Sequence, residues 1–512
     1  MLFSFASPLQ DRAVLQRGKV LHLWGYGENG RTVTVQLNRD QASAVVADGR
    51  WICHLPPQTV SHGIRLSATC DEKTIVCDDI CIGDVFLAGG QSNMEFLMEY
   101  ASHWDEAKEL PGNPEIRMFN QPRLAFDGQI KNQPECGYWF DDRDPAWARF
   151  SAVGYWFARY LQPDLNVPVG IIGCNWGGTS ASAWIPEKCL KTKGLQVYLD
   201  DYFLALRNCD PQKNREQSLK GWASMETAEH KAKVVRIMKG MSRKEQKQYM
   251  ASTEDAPGIP MGPYNKNRLG GLYESMFLKV APYSFKAVLW YQGENDDHHP
   301  NVYSCLFRKL TDQWRRDLMD KNLPFLCVQL APFERWMSLD GSRFPLVRKQ
   351  QELACKKNRN CFVTSSMDIG MRFDIHPKEK RELGRRLCLL AEEELYGRAV
   401  IGRPPRAIAC YWAENRVEIQ FDPNTGDLHA EGKIRHLFSV SQRGKNCRIK
   451  SVKTRKNTVA LELDDAATDE PLRIDFAVKP YCRVKLYNNS GIPAVPFTLN
   501  CECQNNAVCN IR

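Results

Sequence analysis

The 512-residue sequence predicts an α/β fold with a β-rich domain at each end, and three observations carry that prediction. Short, continuous apolar runs stop at glycine turns, as strands buried on both faces of a parallel sheet do; Val85-Phe86-Leu87-Ala88 before Gly89-Gly90 is the clearest. Helix-like stretches, such as 150–161 and 303–318, alternate with those runs. Before Ile80 and after Gly397 the pattern changes to strict alternation of apolar and polar residues, the period of half-buried antiparallel strands.

In order along the chain, residues 1–79 give short alternating runs such as Thr32-Val33-Thr34-Val35-Gln36-Leu37, separated by turn signals at Asp48-Gly49 and Pro56-Pro57. They are expected to form a small packing domain. From 80 to 398 the buried runs recur at Val167–Cys174, Phe285–Tyr291, Phe325–Leu330 and Cys361–Ser365, which predicts one doubly wound sheet. Within it, 187–265 is polar, lysine-rich and weakly patterned, and reads as an insertion bordering the site. Residues 399–512, with Arg416–Phe421, Val459–Leu463 and Cys482–Leu486, are expected to close the chain as a second β-rich domain.

Composition removes several function classes. A net charge of +9 is mild for this length, and basic residues mix with acids in Lys378-Glu379-Lys380-Arg381-Glu382, which reads as a solvated face and not a nucleic-acid stripe. No stretch is long and apolar enough to span a bilayer, so no membrane partner is expected. The 19 cysteines lack paired C-x-x-C spacing, and neither a zinc site nor a fully oxidised framework is expected. The N-terminal residues lack the features of a signal peptide, which favours the cytoplasm; a secreted or lysosomal location follows only if the chain is a mature or trimmed form.

Ligands of open α/β sheets gather at the carboxyl ends of strands. There stand Ser92, the Gly177-Gly178 turn, Gln292-Gly293-Glu294 and His376, each just past a predicted strand. Acyl transfer to water needs a nucleophile, a base, a carboxylate to orient that base, and donors for the oxyanion. Taken singly, Ser92 reads equally well as a helix cap; the four segments together read as a hydrolase site. Asp374, Asp368 and Glu294 are rival orienting carboxylates, and either Gly177 or Gly178 can supply a backbone N–H. The loop Asn295-Asp296-Asp297-His298-His299 reads as a solvated turn, and no metal or other cofactor is expected.

The blocks Gly90-Gln91-Ser92-Asn93-Met94, Trp176-Gly177-Gly178-Thr179, Trp290-Tyr291-Gln292-Gly293-Glu294 and Asp374-Ile375-His376-Pro377 resemble those of sialate O-acetylesterases, a branch of the SGNH hydrolase superfamily. So do Val14–Gly18 and Gly491–Phe497, which extends the resemblance over nearly the whole chain. It implies a three-layer α/β/α catalytic domain and removal of O-acetyl groups from sugars, sialic acids above all. It further implies Ser92 as nucleophile, His376 as base and then acid, and Asp374 as the orienting carboxylate. The oxyanion hole would comprise the N–H groups of Ser92 and Gly178 and the side-chain amide of Gln292. Gln91, Asn93, Glu294 and Arg372 are expected to contact the substrate or support the site, with Arg372 a conjectural partner for a sugar carboxylate. Two departures stand out: the aspartate lies two residues before the histidine where the superfamily usually has three, and Leu272-Tyr273-Glu274 has glutamate where relatives usually carry asparagine. The alternatives are an esterase for acetylated xylan, mannan or pectin oligosaccharides, and a catalytically idle sugar-binding protein.

Overall fold

The computed structural model describes residues 3–129, 131–252, 258–464 and 470–503. At its centre lies a seven-stranded path built from β1 (Lys73–Gly90), β2 (Ile116–Asn120), β3 (Trp139–Phe140), β4 (Val169–Asn175), β5 (Ala287–Tyr291), β6 (Phe325–Val328) and β7 (Cys361–Thr364), in the order β3-β2-β4-β1-β5-β6-β7. All neighbours run parallel except β3 against β2. Continuous burial of the second half of β1, of β4 and of β5 explains why these read as unbroken apolar runs.

Helices cover both faces. Side chains of a strand alternate between faces: Phe86 of β1 meets Phe157 of α1 (Ala152–Leu165), whereas its neighbour on the other face, Gly89, lies under Trp290 and Trp314, the latter from α2 (Tyr303–Asp317). Farther along, α3 (Phe344–Lys357) packs beside α2, and α4 (Arg381–Tyr396) beside α1. The α1–α4 approach is tight, since a Cβ at Gly384 would lie 2.5 Å from that of Trp156. The architecture is α/β, three-layered, with β-rich flanks.

The expected boundary at 79/80 falls inside β1. This 18-residue strand begins half exposed, pairing with Ser61–Cys70, passes Asp79 at φ 55, and ends wholly buried in the central sheet. One apolar core therefore continues from the N-terminal strands into the sheet. The alternating half and the buried half of β1 carry different periods, which is why the sequence divides them. Arg17 and Gln16 clamp the join by binding the buried carboxylate of Asp84, to which Tyr396 also donates. At the other end, α4 stops at Gly397 in the left-handed conformation. An eight-stranded sheet from Ala407 to Cys503 follows, with a separate core.

Candidate active site

Register places the site. Gly90 of β1 stands opposite Asn175 of β4 and Tyr291 of β5, so the three segments that follow leave the sheet at one level. The chain order reverses here, with β4 on one side of β1 and β5 on the other, which is where open α/β sheets form their ligand crevice. Gly90 adopts φ 133, and a Cβ there would lie 2.1 Å from the carbonyl of Tyr291; no other residue fits this turn. It delivers Ser92 to the first turn of a short helix, Ser92–Glu95.

Ser92 Oγ lies 3.0 Å from His376 Nε2. The histidine is 4% exposed and is walled by Trp336, whose ring meets it edge-on at 5.0 Å. Asp374 Oδ1 accepts the backbone N–H of His376 at 2.9 Å and lies 3.4 Å from Nδ1. That second contact is in ion-pair range without hydrogen-bond alignment. Asp374 Oδ2 binds Lys378 Nζ at 2.9 Å. Burial opposes charge on Asp374, but the hydrogen bond to His376 and the Lys378 ammonium outweigh it and hold the carboxyl below its ordinary range. For His376 burial dominates; Asp374 offsets it only in part, and the imidazole is held below its usual 6.5.

Of the rival carboxylates, Asp368 is bound by both Nη1 and Nη2 of Arg386, at 2.7 Å each, and Glu294 Oε1 accepts from Asn93 at 2.6 Å. Neither bonds His376. Asn93 also donates to Ile375 O and accepts from Lys380 Nζ at 2.7 Å. The residue after the serine is thus tied to the histidine loop and to the loop after β5. Gln91 does the same on the other side, its Oε1 accepting from Gln292 Nε2 and from the N–H groups of Gly293 and Asn295.

The glycine turn packs directly on the nucleophile: a Cβ at Gly177 would lie 3.1 Å from Ser92 Cβ. The Gly177 N–H is occupied by Glu95 Oε2. Gly178, at φ 65, keeps its N–H without an acceptor among the described residues, as does Ser92. Gln292 departs from expectation. Fully buried, its Nε2 donates to Thr179 O and Asp296 Oδ2 as well as Gln91, and its Oε1 accepts from Tyr303. With both amide hydrogens occupied it holds loops together and does not face Ser92. Arg372 is likewise engaged elsewhere, in an exposed pair with Glu334 at 2.7 Å.

Other segments lie close by. The described residues of 187–265 are largely helical and touch the site at two places: Lys378 donates to Met238 O and Gln246 to Phe373 O on the histidine side, while Trp222 packs on Trp176 at 5.5 Å. Glu274 pairs with Arg268 at the surface. Asp296, read as part of a solvated turn, is wholly buried and accepts from Ser180, Ala181 and Tyr198. His298 and His299 approach Asp201 in an exposed group, where His299 Nε2 already bonds Asp201 Oδ2. Lys378 and Lys380 correct the reading of 378–382 as a solvated face. Lys380 is completely buried, and burial, with Lys378 nearby, draws its ammonium down to about 7.

Residues 257–391 match a family model described as carbohydrate esterase, sialic acid-specific acetylesterase. The sialate O-acetylesterase of Mus musculus is 25% identical over 551 residues, covering 97% of this chain and 94% of that protein. That of Homo sapiens is 24% identical, covering 97% and 92%. Among solved structures, a carbohydrate acetylesterase from Xanthomonas citri superposes with a TM-score of 0.73 at 24% identity, over 97% of this chain and 99% of that one, a likeness of fold. The matched segment runs from the insertion's exit through the histidine block into α4, and the similarity to the sialate O-acetylesterases extends over nearly the whole chain, so the chain is similar to carbohydrate esterases that remove O-acetyl groups.

Proposed function

We propose that the protein removes O-acetyl groups from sugars, with O-acetylated sialic acid the substrate, through an acetyl-enzyme on Ser92, and that residues 80–398 are the catalytic unit. The observation that carries this reading is the 3.0 Å contact of Ser92 Oγ with His376 Nε2, beside two unengaged backbone N–H groups. His376 takes the serine proton as Oγ bonds to the acetyl carbon, and the carbonyl oxygen becomes an oxyanion facing the N–H groups of Ser92 and Gly178. Collapse breaks the bond to the sugar oxygen, which receives the proton from His376 and departs as an alcohol. Water then repeats the sequence and releases acetate. Asp374 orients the imidazole and stabilises its charged form. A reducing, cytoplasmic location is part of the same reading, supported by buried thiols such as Cys174 and Cys388. Among the described residues no helix is long and apolar enough to cross a membrane.

Acetate release from 9-O-acetylated sialic acid, acetylated xylan and mannan oligosaccharides, and p-nitrophenyl acetate tests the substrate. Preference for the sialic acid supports the reading; preference for a plant oligosaccharide replaces the substrate and keeps the chemistry.

The pH profile gives a second check. A protonated His376 cannot accept the serine proton, so kcat/KM falls as pH drops through its pKa. Because burial holds that pKa below 6.5, the acid limb is expected below pH 6.5, with most activity retained at 6.5 itself. A limb above that value in a p-nitrophenyl acetate profile would sink the assignment.

A further inference from the structure

The turn that presses on Ser92 carries a cation that the chemistry above does not use. Lys266, just after the insertion, donates from Nζ to Gly177 O at 2.5 Å, and its neighbour Asn267 donates to Gly178 O at 2.9 Å. The ammonium stands 3.5 Å from where a Cβ at Gly178 would be and 5.6 Å from the Trp176 ring. It therefore lies over the bare face of the turn, one residue's breadth from the nucleophile.

Every other charge around it is engaged. Glu95 accepts from Arg123 and from the Gly177 N–H, and Arg123 reaches Glu135 as well. Lys131, which stands over Trp176 and Trp222, pairs with Glu226 at 3.4 Å. Among the described residues no carboxylate lies within 4 Å of Lys266 Nζ, and Gly177 O is its one hydrogen-bond acceptor, leaving two N–H groups. Burial lowers its pKa to about 8, so it remains mostly charged at neutral pH. A half-buried ammonium whose attracting carboxylate, Glu95, is already held by Arg123 is costly unless a further anion joins it, and here it borders the crevice where the ester must sit.

We propose that Lys266 receives a carboxylate of the substrate and so selects O-acetylated sugars that are acids over neutral ones. This rests on the esterase reading and narrows its substrate class; it also gives the site the cation that Arg372, held by Glu334, does not supply.

The test compares acetate release from 9-O-acetyl-N-acetylneuraminic acid with release from its carboxyl methyl ester, for the full chain and for Lys266→Met and Lys266→Arg. The unmodified protein is expected to prefer the acid. Lys266→Met should lower the acid-to-methyl-ester ratio of kcat/KM by about 10–100-fold, the value of a charge-assisted hydrogen bond, while Lys266→Arg keeps most of it. Disturbance of the glycine turn would slow both substrates alike and leave the ratio in place. A ratio unchanged within about twofold in Lys266→Met overturns the role of Lys266 alone. Absence of serine-dependent acetate release from either substrate by the unmodified protein overturns the esterase reading and this one with it.

Discussion

Ser92→Ala is expected to reduce kcat for acetate release by at least about 10⁴-fold, the order seen when a serine nucleophile is removed from its base, and to abolish covalent labelling by a fluorophosphonate. The reason is geometric: His376 Nε2 faces Oγ at 3.0 Å, and without that oxygen the base has nothing to deprotonate and no acyl intermediate can form. Ser92 is half-buried, and among the described residues its hydroxyl has no partner besides His376, so the fold loses little; a melting temperature within a few degrees of the unmodified protein is expected. Residual rate from the backbone donors and substrate binding is compatible with this outcome. Labelling that persisted in the alanine variant would move the nucleophile elsewhere. Intact fold with neither labelling nor acetate release in the unmodified protein would favour the idle sugar-binding alternative.

What could be read from the sequence divides along a physical line. Strands β4 and β5 were legible because burial on both faces leaves an unbroken apolar run, and Ser92 and His376 because each follows a strand end within short, distinctive blocks. The distant blocks near residues 14 and 491 have a structural explanation: Arg17 neutralises Asp84 while Gln16 donates a hydrogen bond to it, and Ser490 and Gly491 offer carbonyls to Arg385 and Arg386, the latter of which holds Asp368. The misplaced donor is instructive. Whether the Gln292 amide faces substrate or protein is decided by Thr179, Asp296 and Tyr303, and no local pattern encodes that. Lysines fail for a related cause: Lys266, Lys378 and Lys380 sit in polar, charged stretches that look solvated, and only the packing of the insertion and of α4 turns them inward.

Asp374→Asn is expected to lower kcat by about 10²–10⁴-fold, with the upper end set by triads in which the aspartate alone fixes the tautomer. The carboxylate here does two jobs, accepting the His376 N–H and lying 3.4 Å from Nδ1 through one oxygen, and binding Lys378 through the other. Asparagine keeps one acceptor and gains one donor group. If its carbonyl stays with the histidine, the amide points a donor at the Lys378 ammonium; if it turns, Nδ1 must accept, the proton moves to Nε2, and His376 can no longer take the proton of Ser92. Both arrangements also remove the negative charge that stabilises the imidazolium. Asp368→Asn provides the contrast, because its carboxylate is engaged with Arg386 and its loss should lower the melting temperature while kcat in the folded fraction stays within about tenfold. Glu294→Gln should act through Asn93, whose amide it accepts, and also fall well short of the Asp374 effect. A folded Asp374→Asn variant within tenfold of full activity, beside an inactive Glu294→Gln or Asp368→Asn, would transfer the orienting role to the second carboxylate.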